Sequence, residues 1–172
     1  MVHYTMFNSL IGILGLYYSK VGVCYIAFPT YSEEYVLQWS QKYIQSTPKL
    51  NKINHHPAIQ QILEYLSGSR QYFDFPIHHI NSEFRKQALE EVARIPYGKT
   101  ESYKDIAIKM GNPKACRAVG TANATNPLPL VIPCHRVVSH NGGIGGFGGG
   151  LSTKKYLLNL EQTVANRENY NV

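Results

Sequence analysis

The sequence predicts an α+β protein in two parts. A small sheet-plus-helix domain spans residues 1–80. A mostly helical domain over 81–165 follows, with a helix-turn-helix and a cysteine–histidine pair, and residues 166–172 form a flexible tail. Three observations carry this reading. The first 28 residues are rich in Tyr, Val and Ile and are cut into short runs by Gly12, Gly15 and Gly22, the mark of strands. From Asn81 onward apolar residues recur at helical spacing. The last third holds a run without precedent in the rest of the chain, Pro133-Cys134-His135-Arg136-Val137, followed by seven glycines between Gly142 and Gly150.

The bulk numbers bound the function. A chain of 172 residues makes one compact domain or two small ones, and 44% hydrophobic residues with thirteen Tyr are enough for a real core. The net charge is +6, and it is uneven. Residues 1–82 hold five Lys/Arg against four acids, and residues 83–172 hold twelve against seven. The basic excess therefore sits with the cysteine–histidine pair, as a nucleic-acid surface would require, although a plain excess of lysine is an equal reading. Cys24, Cys116 and Cys134 are an odd, sparse set without a C-x-x-C, which excludes a disulfide framework and points to a reducing compartment. No basic stretch followed by an apolar run and a small-residue cleavage site marks a signal peptide. Leu10–Phe28 is interrupted by Lys20 and three glycines and reads as paired strands, not a membrane span.

Taken in order, Ser19-Lys20-Val21-Gly22 is a hairpin turn before Val23–Phe28, in which Cys24 packs as a small apolar residue. Ser32 starts a helix with Tyr35, Val36, Trp39, Tyr43 and Ile44 at helical spacing. Pro57 opens a second, with Ile59, Ile62, Leu63 and Leu66 on one face and a stop near Gly68. Gln71–Ile80 alternates through Phe73, Phe75 and Ile77 and predicts another strand. The pairs His55-His56 and His78-His79 are sequence neighbours that point different ways, so they read as surface histidines and not as metal ligands.

After the boundary near Asn81, Ser82 caps a helix with a core stripe of Phe84, Ala88, Leu89, Val92 and Ile95, stopped by Pro96-Tyr97-Gly98. Ser102-Tyr103-Lys104-Asp105 is a capping box with Asp in place of Glu, and Gly111 ends the short helix behind it. Asn112 caps the next helix, with Pro113 at its first position and Lys114 to Asn123 as its body. The two helices and their glycine turn outline a helix-turn-helix, though such pairs are common. On the second helix Lys114, Arg117 and Thr121 share one side. Ala118, Gly120, Ala122 and Ala124 keep its surface low, so that a backbone can approach. Ser152 caps a final helix, Thr153 to about Gln162, with Tyr156, Leu157 and Leu160 inward and Glu161 at the border.

The chemistry centres on Cys134. A free thiol is mostly protonated at neutral pH, with a pKa of about 8.5. A histidine can take its proton and a carboxylate can fix that histidine. Cys134 and His135 are adjacent, so they cooperate only if the backbone turns sharply, which Pro133 favours. Glu161 is the downstream acid nearest a core face. Glu161–His135–Cys134 is thus a candidate relay, beside the reading that both residues are structural. Two other motifs fail. Gly143-Ile144-Gly145-Gly146-Phe147-Gly148 matches G-x-G-x-x-G but has no βαβ unit or later acid to complete a dinucleotide fold. Pro133-Cys134 begins a zinc-deaminase motif, but position 137 is Val where the second cysteine ligand belongs.

These residues together resemble the O6-alkylguanine-DNA alkyltransferases. The resemblance rests on Pro133–Val137, Asn126-Pro127, Arg117-Ala118-Val119-Gly120, Tyr97-Gly98, Ser102-Tyr103, the glycine loop, Leu151 and Glu161, in order and in spacing over about residues 82–162. Residues 1–80 are similar only in general character. The resemblance implies that the second domain binds DNA and transfers alkyl groups. Cys134 is then the alkyl acceptor, His135 removes its proton through a water, and Glu161 orients His135. Asn126 braces the turn, and Tyr103 donates its hydroxyl to the guanine ring. Arg117 fills the place of a flipped nucleotide, on a DNA-facing helix that also presents Lys114, Ala118, Thr121, Ala122 and Asn123. Val137, Phe147, Gly148 and Pro129 bound the substrate pocket, and Arg136 makes a structural ion pair.

The implied partner is double-stranded DNA containing alkylated guanine, or alkylated thymine, bound through the minor groove with little sequence preference. A monomer is expected, with no membrane contact, no cofactor and no metal, in the cytoplasm or, in a eukaryote, the nucleus. The thioether product cannot be hydrolysed by a neighbour, so the protein acts once. Two positions depart from the family: Phe147 stands where Tyr is usual and Gly148 where a larger residue is common, so a roomier pocket is expected. A non-reactive relative that binds alkylated DNA and a thiol hydrolase with the same relay are the competing readings. The presence of Cys134 argues against the first.

Overall fold

The computed structural model describes residues 1–51, 56–78 and 83–170, and the chain forms two compact units, residues 1–81 and 82–172. The boundary at Asn81, the Ser82 cap, His55 and His79 fall outside the described residues. Among the described residues no helix is long and apolar enough to cross a membrane, and no group of three or more His, Cys, Asp or Glu could hold a metal.

The first unit is a four-stranded sheet with two helices. Strands β1 (His3–Ser9), β2 (Gly12–Tyr18) and β3 (Val23–Ala27) form an antiparallel meander, and short β4 (Lys49–Leu50) adds parallel to β1, in the order β3-β2-β1-β4. Ser19 to Gly22 closes the β2–β3 hairpin through an N–H···O bond of 3.0 Å, as the turn residues predict. Helix α1 (Glu33–Ile44) begins where Ser32 accepts the Tyr35 N–H with its hydroxyl. It buries Val36 and Trp39 against Tyr17, Tyr25 and Cys24, and the Trp39 and Tyr25 rings lie 4.3 Å apart. Tyr35, expected on this inner stripe, is exposed on the flank. Cys24 is fully buried, and burial pushes its thiol up to about 12, which suits a packing role. Helix α2 (Pro57–Leu66) starts at Pro57 and buries Ile59, Ile62, Tyr65 and Leu66.

Of the strand predicted over 71–80, residues 71–78 are described, and they do not form it. The alternation is real, with Phe75 buried and Tyr72 and Asp74 exposed, but it comes from a loop laid on the sheet edge. Phe73 packs on Tyr65 and Phe75, and the pairing is one bridge between Val23 and Ile77. Pro76 has no N–H to continue a ladder. The described members of the two pairs, His56 and His78, are half-buried and engaged, not surface groups. His56 caps α2 by accepting the Ala58 N–H, and His78 bonds the Ser19 hydroxyl.

The second unit holds α3 (Glu83–Ala93), β5 (Glu101–Ser102), α4 (Tyr103–Lys109), α5 (Cys116–Ala124), β6 (Val137–Val138) and α6 (Leu151–Tyr170). Its core takes Ala88, Leu89, Val92 and Ile95 from the α3 region, Ile106 and Ala107 from α4, Val119 from α5 and Leu157 from α6. Phe84, assigned to the stripe from its spacing, is 39% exposed at the start of α3. The capping box of α4 forms in both directions. The Ser102 hydroxyl accepts the Asp105 N–H, and the Asp105 carboxylate accepts the Ser102 N–H at 2.8 Å. Residues 113–115 form a turn, so α5 starts at Cys116 and not at Lys114, and Asn112 closes that turn through its carbonyl. Proline's fixed φ suits a turn as well as a first helical position, so the two are alike in sequence. At the other end, Gly150 caps α6 by accepting the Lys154 N–H, which leaves Ser152 exposed inside the first turn. The helix continues to Tyr170, through the segment expected to be a tail; no Gly or Pro interrupts it.

Candidate active site

Between α5 and β6 the backbone is held in an unusual path. Asn126 braces it from both ends: its side-chain amide donates to the Ile132 carbonyl at 2.8 Å and its oxygen accepts the Leu128 N–H at 3.0 Å. Leu130 is forced to φ 74°, a left-handed conformation that a branched side chain rarely adopts and that costs of order 1–3 kcal/mol where it occurs. Pro133 follows at φ −78°, ψ 64°, the inverse γ-turn, and the Cys134 N–H closes that turn onto the Ile132 carbonyl at 2.7 Å. The chain then makes one 3₁₀ turn, Cys134–Arg136. This is the sharp turn that adjacent cysteine and histidine need. At three residues per turn their side chains diverge by about 120°.

His135 points into α6. Its Nε2 lies 2.6 Å from Glu161 Oε1, and both side chains are buried. Arg136, the next residue, turns to the same carboxylate: Nε donates to both oxygens, Nη2 to Oε1, and Nη1 to the Ile95 carbonyl. The Gly98 N–H completes the carboxylate's set at 2.9 Å. Gly98 sits at φ 71°, and a Cβ there would come within 2.9 Å of Ala165 Cβ, so only glycine brings this N–H to α6. Burial alone would raise the Glu161 pKa. The hydrogen bonds and charges of His135 and Arg136 outweigh burial and hold it at about 2. Burial lowers the His135 pKa more than Glu161 raises it, which keeps the imidazole neutral. With its proton on Nε2 toward the carboxylate, the basic position of the neutral ring is Nδ1.

The thiol itself is protonated in this state. Burial pushes Cys134 up to about 11, while Asn126 and the Lys154 ammonium act to lower it. Lys154 was not among the residues the sequence singled out. It is completely buried, and its Nζ donates to the Val137 carbonyl at 2.6 Å and the Gly146 carbonyl at 3.1 Å, tying α6 to the strand after the cysteine and to the glycine loop. Burial lowers its pKa to about 8, and the nearby thiol works against that. Its signal in the sequence is the spacing Lys154, Leu157, Glu161, which puts a lysine in the middle of a buried helix face.

A cavity of about 380 Å³ is lined by Tyr103, Gly120, Asn123, Ala124, Gly146, Phe147 and Gly148. Phe147 packs edge-on to the His135 ring at 6.4 Å. Gly145 adopts φ 71°, and a Cβ there would lie 3.3 Å from the Tyr103 hydroxyl, so the loop needs glycine to pass the tyrosine. Burial raises the Tyr103 pKa, against a hydrogen bond with Asn123. Val137 and Pro129 are buried and do not line this cavity; Val137 takes part through its carbonyl. On α5, Arg117, Ala118 and Thr121 are exposed, as is Lys114 in the turn before it. Ala122 and Asn123 are not on that outer face. Both are buried, and Asn123 donates to the Cys134 carbonyl at 3.1 Å. A helix of nine residues turns through every direction, so residues 122 and 123 fall inward once Val119 does.

A cysteine whose neighbouring imidazole is locked by a buried carboxylate belongs to the thiol-nucleophile proteins, which take up a group from an electrophile. Comparison with known proteins narrows that class. Residues 83–163 match the family model described as "6-O-methylguanine DNA methyltransferase, DNA binding domain". The constitutive methylated-DNA–protein-cysteine methyltransferase of Bacillus subtilis is 39% identical over 132 residues, covering 76% of this chain and 79% of that protein. The methylated-DNA–protein-cysteine methyltransferase of Methanosarcina acetivorans is 34% identical over 160 residues, covering 93% and 98%. The crystal structure of Mycobacterium tuberculosis OGT in complex with DNA superposes with a TM-score of 0.83 at 30% identity, covering 94% of each chain. The chain belongs to the methylated-DNA–protein-cysteine methyltransferase family.

Proposed function

We propose that this protein repairs DNA by taking an alkylated guanine out of the duplex and moving the alkyl group irreversibly onto its own Cys134. The observation that carries the reading is the 2.6 Å contact between His135 Nε2 and a fully satisfied, ionised Glu161, one residue from the thiol. It leaves Nδ1 as a base that can remove the thiol proton through a water. The relatives named above are methylated-DNA–protein-cysteine methyltransferases.

The steps we infer are these. The target carbon lies inside a stacked duplex, so the base must be extruded, at a cost of a few kcal/mol. Arg117, exposed on α5 beside Ala118, enters the minor groove and fills the vacated space. The base enters the cavity between Tyr103 and Phe147. Cys134 Sγ attacks the alkyl carbon as the bond to O6 breaks, and its proton passes to His135. Tyr103 donates its hydroxyl to the ring as negative charge develops on the leaving base. Lys154 holds a positive charge near the forming thiolate, which explains a lysine kept at the centre of a core. The S–C bond formed is a thioether, and the protein is consumed. It works as a monomer on duplex DNA, in the cytoplasm or, in a eukaryote, the nucleus, with residues 1–80 as a supporting domain.

The test is incubation with DNA carrying labelled methyl at guanine O6. One methyl per protein, lost in Cys134→Ser, is the expected result. Repeated turnover would sink the proposal in favour of a hydrolase. Binding without transfer would make the protein a non-reactive relative.

A further inference from the structure

We propose that the first unit carries a second ligand site, a cavity of about 670 Å³ between the sheet and α1, whose aromatic wall and single carboxylate, Glu33, take an organic monocation with an apolar body. The volume lies within the range of small-molecule sites, about 300–1,000 Å³. Four rings face it: Tyr4, Tyr17, Phe28 and Tyr31. Tyr4 and Tyr17 stack at 5.1 Å with planes 11° apart, and Phe28 meets Tyr31 edge-on at 6.0 Å. Helix α1 lends Glu33, Val36 and Leu37 to the cavity, and its Trp39 packs on Tyr25 of the sheet with ring centroids 4.3 Å apart.

The rim is apolar and open to solvent. Met6 is 44% exposed, Ile13 53%, Leu37 43% and Leu50 53%. Met6 lies over Gly15, where a Cβ would approach its sulfur to 3.1 Å, so a flexible side chain covers the cavity floor. Glu33 is the one charged residue among those lining the cavity, and no cation of the described residues lies within salt-bridge distance of it. Its field reaches the wall. Tyr17 is pushed up to about 12, by burial first and then by Tyr4 and Glu33. Ring faces present negative charge density, so rings and carboxylate select for the same sign. An anion is repelled by both, and a neutral guest gains from the walls alone. None of these groups takes part in alkyl transfer.

The chain has three methionines, and ¹³C-methyl labelling turns Met6 into a reporter inside the site, with Met110 of the second unit as the control. The probes are 2-phenylethylammonium and its near-isostere 2-phenylethanol, titrated into the full-length protein. The expected result is a saturable Met6 shift with the ammonium, an unmoved Met110, and affinity weaker by about fivefold or more for the alcohol. Glu33→Gln should bring the ammonium down to the affinity of the alcohol, Tyr4→Leu should weaken the ammonium, and both should leave methyl transfer unchanged. Equal affinity for the two probes, no effect of Glu33→Gln, or no Met6 shift up to about 10 mM ammonium would overturn the site. A Met6 shift that follows protein concentration without probe would overturn it too, and would assign the face to a second copy of the chain.

Discussion

Glu161 accepts hydrogen bonds from three residues distant in sequence, and its substitution is the sharpest test of the relay. Glu161→Gln keeps an oxygen for Arg136 and His135 but removes the charge that supports an imidazolium. Alkyl transfer should slow by about 10²- to 10⁴-fold, the range of a positioned base, as measured by single-turnover transfer from labelled DNA. The same residue gives a stability signature. Its folded pKa, about 2, lies below the ordinary 4.5, so between those values the folded state binds fewer protons than the unfolded state. Its stabilising contribution is complete above about 4.5 and is lost as the pH drops toward 2, and acid titration by circular dichroism should show that slope in the wild type and not in Glu161→Gln. Lys154 predicts the opposite limb. Its pKa of about 8 means the ammonium is lost above that pH, so the transfer rate should fall as pH rises through about 8. Lys154→Met should be slow throughout and show no such step. Phe147 governs size: with Gly148 beside it the cavity has no hydroxyl and no bulk at those positions, so Phe147→Tyr should lower the rate for benzylguanine relative to methylguanine by up to about tenfold. Equal relative rates would count against a roomier pocket.

At the scale of elements, α5 and α6 divide the work. Helix α6 faces inward with Lys154, Leu157 and Glu161 and supplies the carboxylate and the ammonium of the site from one buried stripe, beside the Arg136 guanidinium of the cysteine turn. Helix α5 faces both ways. Val119, Ala122 and Asn123 are buried toward the cysteine turn, and Arg117, Ala118 and Thr121 face solvent. If Arg117 stabilises an extruded base, Arg117→Ala should cut transfer from duplex DNA by 10-fold or more while transfer from free benzylguanine, which needs no extrusion, stays within about twofold. A matching loss on both substrates would assign Arg117 a structural role. The α4 capping box and the Gly145 crossing beside Tyr103 fix the tyrosine from two sides. Tyr103 is the first residue of a helix whose start is set by two reciprocal hydrogen bonds.

For the whole molecule, charge is the property that matters at a distance. Seventeen basic residues against eleven acids, with the excess in residues 83–172, predict binding to duplex DNA dominated by phosphate contacts. Affinity for undamaged duplex should fall log-linearly with salt, with little dependence on sequence, as fluorescence anisotropy between about 50 and 200 mM salt would show. A salt-independent affinity would require a different interface.

Local features were legible from the residues alone. The Ser32 cap, the Asp105 capping box and Pro57 at a helix start are set by residues within about four positions of each other, and all of them stand in the structure. Helix ends were harder to read. Pro113 suits a turn as well as a helix start, and the polar stretch after Ala165 stays helical where it was expected to fray. Long-range packing set the rest. It set Leu130 at φ 74°, put a bridge and not a strand at Ile77, turned Asn123 inward, and formed the two-residue pairing of Glu101–Ser102 with Val137–Val138. It buried Lys154, and it brought Glu161 onto His135 across 26 residues of chain. The physical reason is the same in each case. Periodicity and capping are energies between near neighbours, whereas burial and long-range hydrogen bonds are decided by which distant surfaces pack together.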